Sequence, residues 1–591
     1  MTLQFTYPFE TTRQIGTVIE VQPSYVRINL PGAATVAGTH QHGARLPLGE
    51  VGEFVFLDAG ERAILGRILD IRLPERDRLT VERPLEGEVR VHPVARVQML
   101  VSVSVAEPVG GEERRIEGIS GFPRLGARAF SASPNLMAWI AESAQRATSP
   151  DIASIVLGKL PAAADLPFLI TPERLLGRHA AVLGSTGGGK SWTVARIAEE
   201  LSYKFPASKV ILVDPTGEYW TLPESFTMHR WIGSVAAPPA SGEENQRDGQ
   251  PEAEFVFPYF ELTENDLFAI FRPAKGSQTP KLRWAIKSLK LARVLGQNHE
   301  LVQGGCIEKV GANKKAYFDA YNLHAEVVEA PGAAFEIRRL ARQIEMECVF
   351  PSGGPKNSPN QSIWGDRSDG DLAYCNTLIS RVSSYLVEKS FDCLFKPGEK
   401  ITIGGVLAAF LADDSKRVLR LCMSTLPTFE NVREIVVNAI GRTLLDMARK
   451  NAFRRRPLLV VVDEAHQFLS RVLGEDDWSH KLDAFDSIAK EGRKYGLTVV
   501  VATQRPRDIP EGVLSQMGCL IVHRLINDAD LRVVERACGE IDSAASEFLP
   551  VLGPGEAVVV GVDVPFPLTV KVTPPSAPPR SEGPNYQKHW R

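Results

Sequence analysis

Gly184-Ser185-Thr186-Gly187-Gly188-Gly189-Lys190-Ser191 is the stretch on which the reading of this chain turns. It fits the pattern G-x-x-x-x-G-K-[ST], and the residue types follow from what a phosphate requires. Glycines let successive backbone N–H groups curl inward, where a Cβ would obstruct them. Lys190 supplies a point charge for β- and γ-phosphates, and the Ser191 hydroxyl suits a magnesium ion. The apolar run Ala180-Ala181-Val182-Leu183 predicts a strand before the loop. Trp192 follows it, and Val194, Ile197, Ala198 and Leu201 share one helical face. A strand, a glycine loop and a helix in that order predict a nucleotide cradle from Gly184 to Trp192.

Outward from the loop, a second apolar run carries acids at its end. Leu458-Leu459-Val460-Val461-Val462-Asp463-Glu464 reads as a buried strand whose two carboxylates are costly to desolvate without a positive partner. Magnesium on a nucleotide is that partner: Asp463 is assigned to the metal and Glu464 to the attacking water as general base. Leu482, Phe485 and Ala489 then fall on one helical face closing at Gly492 and Gly496. Leu497-Thr498-Val499-Val500-Val501-Ala502-Thr503-Gln504 forms another strand with a polar end. Acidic strand, helix, strand ending in Thr-Gln suits a RecA-like ATPase, in which Gln504 senses the γ-phosphate or holds the water, or else is a satisfied buried amide. A further strand, Val210 to Val213, leads into Asp214-Pro215-Thr216-Gly217-Glu218-Tyr219. Asp214 and Glu218 there either assist the water or, for Asp214, cap a turn before Gly217.

Composition sets the outer limits. The 591 residues are 44% hydrophobic and 24% charged, the mix of a folded chain of two to four domains. Lys plus Arg number 68 against 71 Asp plus Glu, for a net charge of -3, so no general basic coat exists and any nucleic-acid surface must be local. No apolar run approaches the ~20 residues of a membrane-spanning helix. Met1-Thr2-Leu3-Gln4-Phe5 lacks a basic start before an apolar block, so no secretory signal is expected. The seven cysteines lack Cys-x-x-Cys spacing and are read as isolated buried thiols of a cytoplasmic protein.

The chain before the loop reads differently. Gly16–Val21 and Tyr25–Leu30 alternate apolar and polar around a short turn. Glu53–Leu57, Ile64–Leu69 and Val97–Val103 continue the pattern, which predicts a small β-barrel. From about 165 strands alternate with helices. Leu282–Leu295 and Ala333–Phe350 have helical apolar spacing, while 236–252 and 351–370 read as exposed loops. The expected plan is an α/β fold: a barrel over 1–160 for assembly or docking, and a RecA-like core over 161–260 and 401–572. A helical insertion fills 261–400 and an extended tail 573–591.

Hydrolysis in ring ATPases gains from an arginine that neutralises charge on the leaving phosphates. Arg493, Arg505 and Arg524 are the candidates, Arg493 first because it ends a helix. Arg449 to Arg456 holds five basic residues in eight, either a DNA-phosphate contact or a solvated loop.

Together, Gly184–Ser191, Asp214–Tyr219, Val462-Asp463-Glu464-Ala465-His466, Glu491–Gly496, Ala502-Thr503-Gln504-Arg505-Pro506 and Leu549–Ala557 resemble the HerA branch of the HerA/FtsK ATPases. The barrel, similar to the HAS barrel of that family, and the helical insertion match its layout. The resemblance implies a hexameric, ATP- and Mg²⁺-dependent translocase or helicase that threads double-stranded DNA through a central pore. It implies an effector as well, the NurA nuclease in archaea, or a nuclease or sirtuin-like NADase in bacterial anti-phage systems. Ala, Gly and Pro usage without a surplus of Lys and Glu leans towards a mesophilic bacterial member. Cys422, in Val418–Ser424, stands where relatives often carry an aspartate. Two other readings stay open: a nucleotide-gated scaffold that organises an effector without moving, and a conjugation or secretion ATPase.

Overall fold

The computed structural model describes residues 5–31, 39–41, 44–46, 49–73, 92–106, 116–145, 153–161, 165–232, 253–355, 357–426, 431–469, 471–473, 480–538, 546, 548–561, 564, 566–580 and 586–590. They form two units: Met1–Phe205 with Val500–Pro578, and Pro206–Val499 with Pro579–Arg591. The loop expected at 236–252 lies outside the described residues.

In the first unit, alternating apolar positions build a closed barrel of six antiparallel strands. Gln14–Val21 pairs with Tyr25–Asn29 and with Arg128–Ser131. Arg128–Ser131 pairs with Phe54–Asp58, and that strand with Arg62–Arg72. Val94–Ser104 joins Arg62–Arg72 to Tyr25–Asn29 and closes the ring. Closure removes the exposed edges that such short strands would leave. Ile15, Val26, Ile28, Val55, Ile64, Ile68 and Val97 point inward and fill it.

The strand Ile155–Leu160 differs from expectation. It falls before the boundary placed at 160, yet it pairs with Leu166–Ile170 and Leu568–Val572 rather than with any barrel strand. The barrel therefore ends at Ser131, and the helix Pro134–Gln145 follows. Beyond Leu568–Val572 the sheet runs through Glu556–Gly561, Met517–His523 and His179–Leu183 to Leu497–Thr503. The last three strands are parallel. All of Ala180–Leu183 and Val499–Thr503 is buried, as parallel strands covered on both faces require.

The second unit holds an all-parallel sheet in the order Leu458–Val462, Lys209–Asp214, Val418–Cys422, Thr227–Ile232, Ala253–Phe255. Helices dominate the insertion: Glu264–Phe271, Gln278–Leu295, Lys314–Leu323, Leu340–Glu347 and Asp369–Val387. The helix expected from Ala333 shortens to Leu340–Glu347, because residues before Ile337 take no helical turn. Leu482 is not on the helix it was expected to share with Phe485. It ends the strand His480–Leu482, and the helix spans Ala484–Glu491. Cys348 and Cys375 are buried and free, but they are not isolated, since the two side chains share a hydrogen bond that raises the Cys348 thiol. The tail beyond 573 is extended up to 580 and then includes one helical turn, Tyr586–His589. Among the described residues no helix is long and apolar enough to cross a membrane.

Candidate active site

In the first unit the strand His179–Leu183 delivers the chain into the glycine loop, and the helix Lys190–Lys204 leaves it. Gly189 caps that helix with φ +110°. A side chain there is excluded twice, by the backbone conformation and by Gly555 Cα at 3.0 Å from an added Cβ. Gly184 has a different reason: an added Cβ would stand 2.5 Å from the His523 Cβ. Gly187 has positive φ and open space beside it, the curl that lets N–H groups face an anion. Lys190 is buried, while Trp192 is exposed.

A support behind the loop had no signal in the sequence beyond its place in the resemblance. His523 sits at the end of the strand Met517–His523. Its Nδ1 lies 2.9 Å from the Glu556 carbonyl, and its Nε2 lies 2.8 Å from Thr193 Oγ1 on the loop's own helix. A carbonyl only accepts, so Nδ1 carries the proton and Thr193 donates to Nε2. Burial, with Lys190 nearby, lowers the imidazole to about 4, so His523 is a neutral strut at physiological pH. Gly555 N–H donates to the Gly188 carbonyl, and Ser185 N–H to the Arg524 carbonyl. Residues 523–524 and 555–556 thus hold the loop in shape from behind. Gln504 follows the strand Leu497–Thr503, and its amide oxygen accepts a hydrogen bond from the Thr186 hydroxyl. Arg505 and Arg524 are exposed.

In the second unit the apolar strand Leu458–Val462 brings Asp463 and Glu464 to its end, and both are buried. Asp463 Oδ2 accepts from the Tyr219 hydroxyl at 2.8 Å, and Oδ1 from the Glu464 N–H at 2.9 Å. Complete burial and the Asp463 charge raise the Tyr219 hydroxyl far above its ordinary value, so it remains a donor. Glu464 has φ +46° and ψ 42°, a conformation that costs a glutamate about 1 kcal/mol or more and concentrates at functional positions. His466 Nδ1 stands 3.3 Å from its carboxylate.

Asp214 proves to be structural. It is fully buried and accepts from the N–H groups of Gly217, Glu218 and Tyr219. Its Oδ2 also takes the Arg420 guanidinium Nε at 2.7 Å. Four donors leave it no water to position, which corrects its catalytic reading. They fix the turn that presents Tyr219 to Asp463. Cys422, two residues past Arg420, is buried with its sulfur 3.2 Å from Ser424 Oγ, so no acid acts at that strand end. Arg493 is exposed, but it lies in the 3-10 turn Gly492–Tyr495 after the helix rather than on it. In the basic stretch, Arg449 pairs with Glu491 and Arg456 with Asp414, and Lys450, Arg454 and Arg455 are exposed.

The donor sets fit an anionic nucleotide and a hard cation. The first unit offers a glycine curl, a lysine and the Ser191 hydroxyl, which suit a phosphate with its cation, and the second unit offers the Asp463 carboxylate, an oxygen donor of the kind magnesium takes. Comparison with known proteins agrees with this chemistry. A family model described as the central domain of the helicase HerA matches residues 155–330. The chain is 26% identical over 428 residues to the DNA double-strand break repair helicase HerA of Sulfurisphaera tokodaii, covering 70% of this chain and 69% of that protein. It is 24% identical over 435 residues to the HerA of Pyrococcus furiosus, covering 71% and 69%. A probable helicase of Methanocaldococcus jannaschii is 23% identical over 434 residues, covering 71% and 70%. Among solved structures, the bacterial conjugative coupling protein TrwB overlaps 75% of this chain and 94% of its own, at 15% identity and a TM-score of 0.41.

Proposed function

From the premise that this chain is a HerA-type ATPase, we propose that it drives double-stranded DNA through a hexameric ring. We propose further that it works with a nuclease or NADase-type effector, in anti-phage defence or DNA end processing. The observation that carries the reading is Glu464, held in left-handed backbone directly after an aspartate anchored by Tyr219. Mg²⁺ bound with ATP would supply Lewis acidity to the phosphoryl group that is transferred. Backbone N–H groups of Gly184 to Ser191 and the Lys190 ammonium bind the β- and γ-phosphates. Ser191 and, through water, Asp463 would hold the metal, and Trp192 would lie beside the nucleotide. Glu464 takes the proton of the attacking water, and Gln504 holds that water in place. Arg493 acts from a neighbouring subunit, which ties hydrolysis to assembly. The relatives are named DNA double-strand break repair helicases, which supports duplex DNA as the track.

The test is ATP hydrolysis with and without duplex DNA, together with displacement of a triplex-forming strand and a native mass in ATP. The expected result is DNA-stimulated hydrolysis by a hexamer, abolished by Lys190→Ala and by Glu464→Gln. Wild-type rates in both variants would overturn the site. Hydrolysis without displacement would favour a scaffold that uses nucleotide only to gate its effector.

A further inference from the structure

A cavity of about 190 Å³ lies inside the first unit, where the barrel meets the helix Pro134–Gln145 and the strand Leu568–Val572. Phe54, Met137, Ala141, Leu160, Phe566 and Leu568 make most of its wall apolar, and the polar side chains lining it are Arg67 and Thr569. Arg67 is placed there by the barrel itself. It stands directly opposite Phe54, on a strand whose register shifts on either side of it, between Leu65 and Gly66 and between Ile68 and Asp70. Ile64 and Ile68 on the same strand point into the barrel, so Arg67 between them falls on the outer face.

The guanidinium is held but not neutralised. Arg67 Nε donates to the Gly52 carbonyl at 3.3 Å, and the group lies over the rings of Phe548 at 4.0 Å and Phe54 at 5.7 Å. Among the described residues no carboxylate pairs with it. The acid closest in sequence to Gly52, Glu53, turns its carboxylate to the Gly49 and Glu50 N–H groups instead. Desolvation lowers Arg67 to about 10, so it stays charged at physiological pH and its burial is costly without an anion. Ring faces offset part of that cost.

We propose that this cavity binds a small organic monocarboxylate with a compact apolar body, its carboxylate on Arg67 and its hydrocarbon against Phe54, Leu160 and Leu568. A planar guanidinium presents two parallel N–H donors that match a carboxylate. One cation balances one negative charge, and apolar walls disfavour a multiply charged phosphate. Arg67 touches no residue assigned to the nucleotide, so the cavity is separate from the ATPase site.

The test uses the full-length protein and calorimetric titration with 4-methylpentanoate, its amide and inorganic phosphate. The wild type should bind the acid saturably and the amide about tenfold or more weakly, the loss of one charge-assisted contact. Inorganic phosphate should not compete. Arg67→Met, which keeps the apolar contact with Phe548, should abolish the preference for acid over amide. Ala141→Leu should fill the cavity and remove binding of both, with ATP hydrolysis by each variant at the wild-type rate. Absence of saturable binding, equal affinity for acid and amide, competition by phosphate, or wild-type affinity in Arg67→Met would each overturn the proposal.

Discussion

His523 offers a sharp test of how the phosphate loop is built. Its imidazole is lowered to about 4 by burial, against about 6.5 in an unfolded chain. Between those values the unfolded state binds the proton and the folded state does not, so stability rises with pH across that window. The contribution is complete above about pH 6.5 and is lost as pH falls towards 4. Working the linkage through, the drop from pH 8 to pH 5 removes about 2 kcal/mol through this one group. Carboxylates titrate in the same range, so the quantity to read is a difference between two proteins. His523→Gln keeps an acceptor for Thr193 and removes the titration. Urea denaturation at both pH values should show the wild type losing about 2 kcal/mol more than the variant. Equal losses, within about 0.5 kcal/mol, would refute the neutral strut.

Tyr219→Phe removes the donor that anchors Asp463 and should weaken Mg²⁺ binding by about 1.5–3 kcal/mol, raising half-saturating Mg²⁺ in hydrolysis roughly tenfold or more. An unchanged Mg²⁺ titration would mean that the tyrosine merely fills space. Arg420→Leu strands the buried Asp214 carboxylate and should cost about 3–5 kcal/mol in denaturant titrations. Loss of hydrolysis with full stability would instead make Arg420 a participant in the reaction.

Much of the fold was legible because burial writes itself into residue order. Leu458–Val462 and Ala180–Leu183 are unbroken apolar runs, as parallel strands covered on both faces must be, and the barrel strands alternate because one face is wet. Gly184–Ser191 was legible too, since the conformation of the loop needs glycine wherever a Cβ would meet His523 or Gly555. Asp463 and Glu464 stood out as acids closing an apolar strand, an arrangement that is costly without a purpose.

Tertiary structure alone decided the rest, because it depends on contacts between distant segments. In sequence Asp214 closes an apolar strand as Asp463 does, and both a catalytic and a turn-capping role stay open for it. The turn amides are local, but only the fold brings Arg420, 206 residues away, onto it and settles the structural role. His523 lies 330 residues beyond Thr193, and no local pattern marks it as the strut of the phosphate loop. Arg67 reads as one more charge on a barrel strand until Met137, Leu160, Phe566 and Leu568 close an apolar cavity around it. Periodicity records which face of an element is buried, but the partner each polar atom finds there is set by packing across the chain.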